Sequence, residues 1–228
     1  MIEIAKEFRL AQSSPTRRRL LAAGLIAALA GPAFAATPPP AAPLTPQDQA
    51  LVAKAGDYLA NLAEVKGRFV QTDARGQSAQ GELFIKRPGK ARFAYDPPSS
   101  RMVVSDGFNV SIADPRLKTF DRYPLGSTPL ALFLSRDVRT DKGVEIVRVD
   151  HFADGFAITA RDVKHRNAGS VTLTFADGPT RLRNWSLTDG QGQTTQVRIN
   201  GLQPASGLDP ALFVLRDPRA KAAVGGPP

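Results

Sequence analysis

The side chains that could carry chemistry in this chain are sparse and scattered. There is no cysteine, so neither a thiolate nucleophile nor a thiolate metal site is available. The two histidines, His151 and His165, stand apart and are too few for a histidine-rich metal site. No G-x-S-x-G or P-loop run occurs. The recurring acidic feature is the Asp-Gly pair, at 106–107, 154–155, 177–178 and 189–190. Each falls between two alternating apolar runs, and Asp106-Gly107 is the sharpest hairpin signal, because Gly supplies the positive φ of a tight turn. These aspartates therefore read as turn residues, not as catalytic carboxylates. A hydrolase acting on lipid or glycan would need a nucleophile and a base that these residues do not assemble. The expectation is a protein that works without catalysis and without a cofactor or metal.

One cation stands out. In Gly81-Glu82-Leu83-Phe84-Ile85-Lys86-Arg87-Pro88, strand parity puts Gly81, Leu83, Ile85 and Arg87 on one face. Leu83 and Ile85 mark that face as the core face, so Arg87 is aimed inward or at its rim. A guanidinium inside is costly unless its donors are paired. At a strand end it can also reach water along its own stem. Parity alone leaves both open. The same count groups Phe69 with Gln71, Ala91 with Phe93 and Tyr95, and Met102 with Val104. Leu130, Leu132, Phe133 and Leu134 make a short segment apolar on nearly every side, opened by Ser127-Thr128-Pro129. Phe69, Leu83, Ile85, Phe93, Tyr95, Met102, Val104, Leu130, Phe133 and Leu134 are thus expected, with Arg87, to line one apolar interior. Ordinary core packing is the competing reading for each of them.

Elements must position these residues. Thr45-Pro46-Gln47-Asp48 has the residues of a helix start. Leu51, Ala55, Tyr58, Leu59 and Leu62 then repeat at spacings of three and four, predicting a helix to about Ala63. From Val65 the period becomes two. Strands are predicted near 65–73, 79–87, 91–96, 101–105, 108–113 and 117–123. A short helix follows from Pro129 to about Ser135, then strands near 144–151, 155–162, 170–176, 181–188 and 194–202. A long antiparallel meander with two helices is mainly β, an α+β arrangement. Its economical form is an incomplete, strongly curved antiparallel barrel with the helices across its concave apolar face. Whether the enclosed space is filled or hollow is not encoded in periodicity.

The N-terminal stretch carries a different signal. Arg17-Arg18-Arg19, the apolar stretch Leu20–Leu29 and Ala33-Phe34-Ala35 follow the order of a cleavable export signal. The apolar stretch is well short of the ~20 residues that span a bilayer. Thr16 to Leu21 also resembles a twin-arginine signal. Cleavage between Ala35 and Ala36 would remove residues 1–35 and lower the net charge from +9 to +6. That balance favours anionic headgroups or an acidic protein face. No basic run with interleaved aromatics follows, so nucleic acid is not expected. Residues 36–44 form a Pro-rich spacer, 45–218 a single domain and 219–228 a loose tail. With no cysteine there is also no residue to lipidate at the processing site, so the exported chain is expected in the periplasm, unanchored.

The run Gly67-Arg68-Phe69-Val70-Gln71, then Gly81 to Lys90 with its Lys86-Arg87-Pro88-Gly89-Lys90, then Arg92-Phe93-Ala94-Tyr95 and Val103-Val104-Ser105-Asp106-Gly107, resembles the LolA family of lipoprotein carriers. Thr128 to Leu134, Val171 to Phe175, Trp185 and Asp209 to Phe213 follow in the family's order. The resemblance implies an incomplete barrel closed by helices. It implies acylated lipoproteins as cargo, an inner-membrane transporter that releases them, an outer-membrane acceptor and a monomeric carrier. It also implies that Arg87 holds the helical lid in the closed, empty state. Where the family has a large apolar residue three positions after Pro88, this chain has Ala91, which shifts wall contact to Phe93. A combined carrier and acceptor, or a lipid-sensing stress regulator of the same fold, are the alternatives within that resemblance.

Overall fold

The computed structural model describes residues 43–134 and 143–217. The export signal, most of the spacer, Ser135 and the tail beyond 217 lie outside the described residues. Eleven strands form one antiparallel sheet. They are β1 (Glu64–Thr72), β2 (Ser78–Lys86), β3 (Lys90–Tyr95), β4 (Met102–Asp106), β5 (Asn109–Asp114), β6 (Thr119–Pro124), β7 (Val144–Phe152), β8 (Gly155–Asp162), β9 (Ser170–Ala176), β10 (Arg181–Thr188) and β11 (Thr194–Pro204). Their spatial order is β6-β5-β4-β3-β2-β1-β11-β10-β9-β8-β7. Two consecutive meanders are therefore joined where β1 pairs with β11, and β6 and β7 are left as the edges of an unclosed, curled sheet.

Register shifts fall in β1 between Lys66 and Arg68, in β10 between Leu182 and Asn184, and in β7 between Ile146 and Arg148. Such bulges add twist and bend to the strand that carries them, which is how the sheet acquires a concave side. Gly81 serves the same curvature. A Cβ there would lie 2.1 Å from the Ala94 carbonyl oxygen, so no other residue fits. Its bare backbone lets Phe69 and Tyr95, its neighbours on either side in the register, meet edge to face at 5.0 Å.

Helix α1 (Pro46–Asn61) begins with a capping box. Asp48 N–H donates to Thr45 Oγ1 at 3.1 Å and Thr45 N–H donates to Asp48 Oδ2 at 3.0 Å. Its buried residues are Ala55, Gly56 and Leu59. A hydrogen-bond contact and an ion pair fasten it to the sheet: His151 Nε2 of β7 lies 2.8 Å from Asp48 Oδ1, and Lys54 pairs with Asp177 in the β9–β10 turn. Helix α2 (Leu130–Leu134) is one turn long and sits across the same concave face.

A third cover lies on the other side. Pro210–Phe213 forms a 3-10 turn opened by Asp209, whose Oδ1 accepts from Ala211 N–H at 2.8 Å. Arg92 Nη1 donates to the Leu212 carbonyl at 3.1 Å, and Arg122 Nη2 to the Leu215 carbonyl at 3.3 Å. The C-terminal segment is thereby strapped over the convex face of β3 to β6.

Candidate functional site

Cross-strand partners share a face, so the register sorts every residue in the sheet. Phe69 faces Gly81, Leu83 faces Phe93, Ile85 faces Ala91, Gly81 faces Tyr95, and Phe93 faces Val103. Across the β1–β11 junction the same face continues through Val197 to Trp185, Leu173, Ile158 and Phe175. The structure places Phe69, Leu83, Ile85, Phe93 and Tyr95 on this concave side, all buried. It brings Leu130, Phe133 and Leu134 of α2 down onto it, also buried.

Met102 and Val104 are a correction. They pair with Ala94 and Arg92 and so lie on the convex face. Arg92 Nη2 donates to Met102 Sδ at 3.1 Å, beneath the C-terminal strap. Val103, which pairs with Phe93, takes the inner position. Parity fixes which residues of one strand share a face. It does not carry across the Pro97–Arg101 connection, and β4 is buried on both sides.

The centre of the concave face is aromatic. Phe133 stacks on Trp185 at 4.5 Å, and Phe93 meets Trp185 edge-on at 6.0 Å. Phe69 meets Phe93 at 5.4 Å. On the β8–β9 side Phe156 stacks on Phe175 at 5.1 Å, and Tyr58 of α1 meets Phe175 at 5.9 Å. Sequence reasoning left Trp185, Phe156, Phe175 and Tyr58 out of the site. The signal was present, since Phe156-x-Ile158, Leu173-x-Phe175 and Trp185-x-Leu187 alternate just as β2 and β3 do.

Arg87 follows β2 on the inner parity. Its guanidinium carbon lies 5.0 Å from the centre of the Phe133 ring, a cation–π arrangement on α2 itself. Nε and Nη2 are shut off from solvent, and burial pulls the guanidinium from its usual range down to about 10. The backbone around it gathers the covers together. Arg87 N–H donates to the Ala63 carbonyl just after α1 at 2.8 Å, and Gly89 N–H donates to the Leu134 carbonyl of α2 at 2.9 Å. Ser105 Oγ donates to the Gly89 carbonyl at 2.6 Å. Gly89 has φ +78°, and a Cβ there would lie 2.8 Å from Gly107 Cα. The Lys-Arg-Pro-Gly turn and the Ser-Asp-Gly turn thus touch in space. At the far end of the face, Tyr95 hydroxyl donates to Gln71 Oε1 at 2.5 Å, and burial pushes its phenol up to about 12.

Among the described residues, an apolar cavity of about 20 Å³ lies between α1, α2 and the sheet, lined by Val52, Ala55, Leu59, Leu132 and Ile158 among others. That is room for about one water-sized body and for no acyl chain. Among the described residues no cluster of His, Asp or Glu could hold a metal ion.

The family model described as outer membrane lipoprotein carrier protein LolA matches residues 60–216. An outer-membrane lipoprotein carrier protein of Dechloromonas aromatica is 31% identical over 180 residues, covering 74% of this chain and 85% of that protein. The proteins of the same description from Azotobacter vinelandii and Chromobacterium violaceum are 29% and 27% identical, covering 83% and 91% of this chain and 92% and 96% of their own. A solved LolA-superfamily structure from Nitrosomonas europaea aligns with TM-score 0.45 at 11% identity, over 73% of this chain and 97% of that one. A curled antiparallel sheet, left open at one seam and covered on its concave side by two helices, defines the class: a half-barrel with a helical lid. The chain belongs to the LolA family.

Proposed function

We propose that this protein is a periplasmic carrier that takes up the acyl chains of lipoproteins leaving the inner membrane and hands them to the outer membrane. The observation that carries this reading is the nature of the cover. The concave face is filled by α2, a single turn whose Leu130, Leu132, Phe133 and Leu134 are all buried. A helix this short has almost no stability of its own, so its place is set by what it covers. Lifting it would return four apolar side chains to water at ~1.5–3 kcal/mol each, about 6–12 kcal/mol together. Acyl chains recover ~0.8 kcal/mol per CH₂ buried, so roughly 8–15 methylenes offset the loss. One fatty tail can therefore replace the lid, and the empty protein never exposes the greasy patch that would make it aggregate.

In this reading α2 is the moving cover and α1, fastened through Asp48 to His151 and through Lys54 to Asp177, the fixed one. Arg87, Phe69, Leu83, Ile85, Phe93, Tyr95, Leu130, Phe133 and Leu134 are its working residues. An inner-membrane transporter loads the carrier, an outer-membrane acceptor unloads it, and the protein acts as a monomer without catalysing a reaction. The test is release from spheroplasts: the purified mature protein should bring newly acylated lipoproteins into the medium. Lipoproteins that stay on the membrane, in preparations from which an established carrier of the family releases them, would overturn the reading.

A further inference from the structure

The sole tryptophan of the chain is an anomaly for a residue placed only to fill space. Trp185 has no exposed surface, and its Nε1 is a buried donor with no acceptor among the described residues. Buried indole N–H groups ordinarily find a partner. Leaving one unmade costs more than the bond would have contributed, and a Phe could stack on Phe133 and meet Phe93 without that cost. An edge contact with an aromatic ring satisfies such a donor only weakly. Water is a poor answer as well. A buried water needs two to four polar partners, whereas the ring contacts and cross-strand partners of Trp185, namely Phe93, Phe133, Leu173 and Val197, are all apolar.

We propose that Trp185 Nε1 is the polar anchor of the binding face, donating a hydrogen bond to the carbonyl at the head of a bound acyl chain once the helical cover has lifted off. The ligand class is an acyl ester or acyl amide, as distinct from any hydrocarbon of the right length. Such a carbonyl needs one donor and brings its own alkyl chain to cover the rest of the apolar face, which is what this environment offers. The inference rests on the carrier reading and adds to it a rule for how a tail is held: hydrocarbon supplies affinity, and one directional bond sets the depth of the carbonyl.

The experiment compares dioctanoylglycerol with its diether analogue dioctylglycerol, which lacks only the two carbonyl oxygens. Both are measured by displacement of bis-ANS from the purified protein and from Trp185→Phe. The wild type should bind the diester roughly three- to tenfold more tightly, the size of one net hydrogen bond, although the diether is the greasier lipid. In Trp185→Phe the diester-to-diether ratio should fall to about one, whatever common change the smaller ring brings to both affinities. Benzothienylalanine at position 185, which exchanges only the N–H for sulfur, gives the same comparison if the Phe variant folds poorly. Equal binding of the two lipids by the wild type, or a diester preference that survives in the variants, would overturn the anchor and leave the carrier reading standing. If neither lipid binds the wild type, the carrier reading fails and the anchor falls with it.

Discussion

Arg87 is placed where its charge distinguishes two states. A desolvated guanidinium over an aromatic face gains on the order of 2 kcal/mol, and Phe133 supplies that face at 5.0 Å. If acyl chains took the place of Phe133, the same charge would lie against methylene groups that offer it nothing. In the proposed cycle the residue would therefore favour the closed, empty form and drive cargo out. Leucine at this position would suit both states and remove the bias. Arg87→Leu is expected to load normally but to pass lipoprotein to acceptor membranes about tenfold more slowly, followed as cargo remaining with the soluble variant. Transfer at the wild-type rate would remove Arg87 from this role. Its inward parity was legible in the alternation of Gly81 to Arg87; the ring that receives its charge was not, because Phe133 lies 46 positions away and no local pattern links the two.

At the scale of elements, the two helices are held by different forces. Helix α1 is capped and ion-paired; α2 is held by apolar contact, by Arg87 over its Phe133 and by the bond from Gly89 N–H to the Leu134 carbonyl. Asp48 serves both the cap and the His151 pair, and these hydrogen bonds, the one to His151 foremost, hold its carboxyl below the usual carboxylate range. A carboxyl with a depressed folded-state pKa stabilises above its ordinary value and loses that contribution as pH falls through the lowered one. Asp48→Asn should therefore lower the Tm at neutral pH. The gap from wild type should close below about pH 4, the ordinary range of an Asp. A gap that stays constant from pH 7 to pH 3 would show that Asp48 stabilises only by its shape. The strands and α1 were readable from sequence because turn chemistry and period change together at Asp106-Gly107 and its counterparts. Met102 and Val104 were misplaced because β4 is apolar on both parities, and its outer cover, Asp209 to Leu215, arrives from the other end of the chain.

For the whole molecule, the open seam between β6 and β7 and the one-turn cover α2 belong, on the proposed reading, to one design: a curved sheet whose concave side must be occupied but need not be occupied by protein. Curvature itself left traces in the sequence only at glycines such as Gly81, whereas the bulges in β1, β7 and β10 depend on pairing that no single strand reveals. The fold class was legible; whether the interior is hollow was not, since the same alternating residues would line a cavity or fill a core. The direct measurement is amide hydrogen exchange with and without a tripalmitoylated lipopeptide. Amides of Leu130–Leu134 should lose protection on binding, while those of α1 and the β1–β11 junction keep theirs. Lipopeptide bound with α2 still protected, or no binding at all, would contradict the exchange of helix for fatty tail.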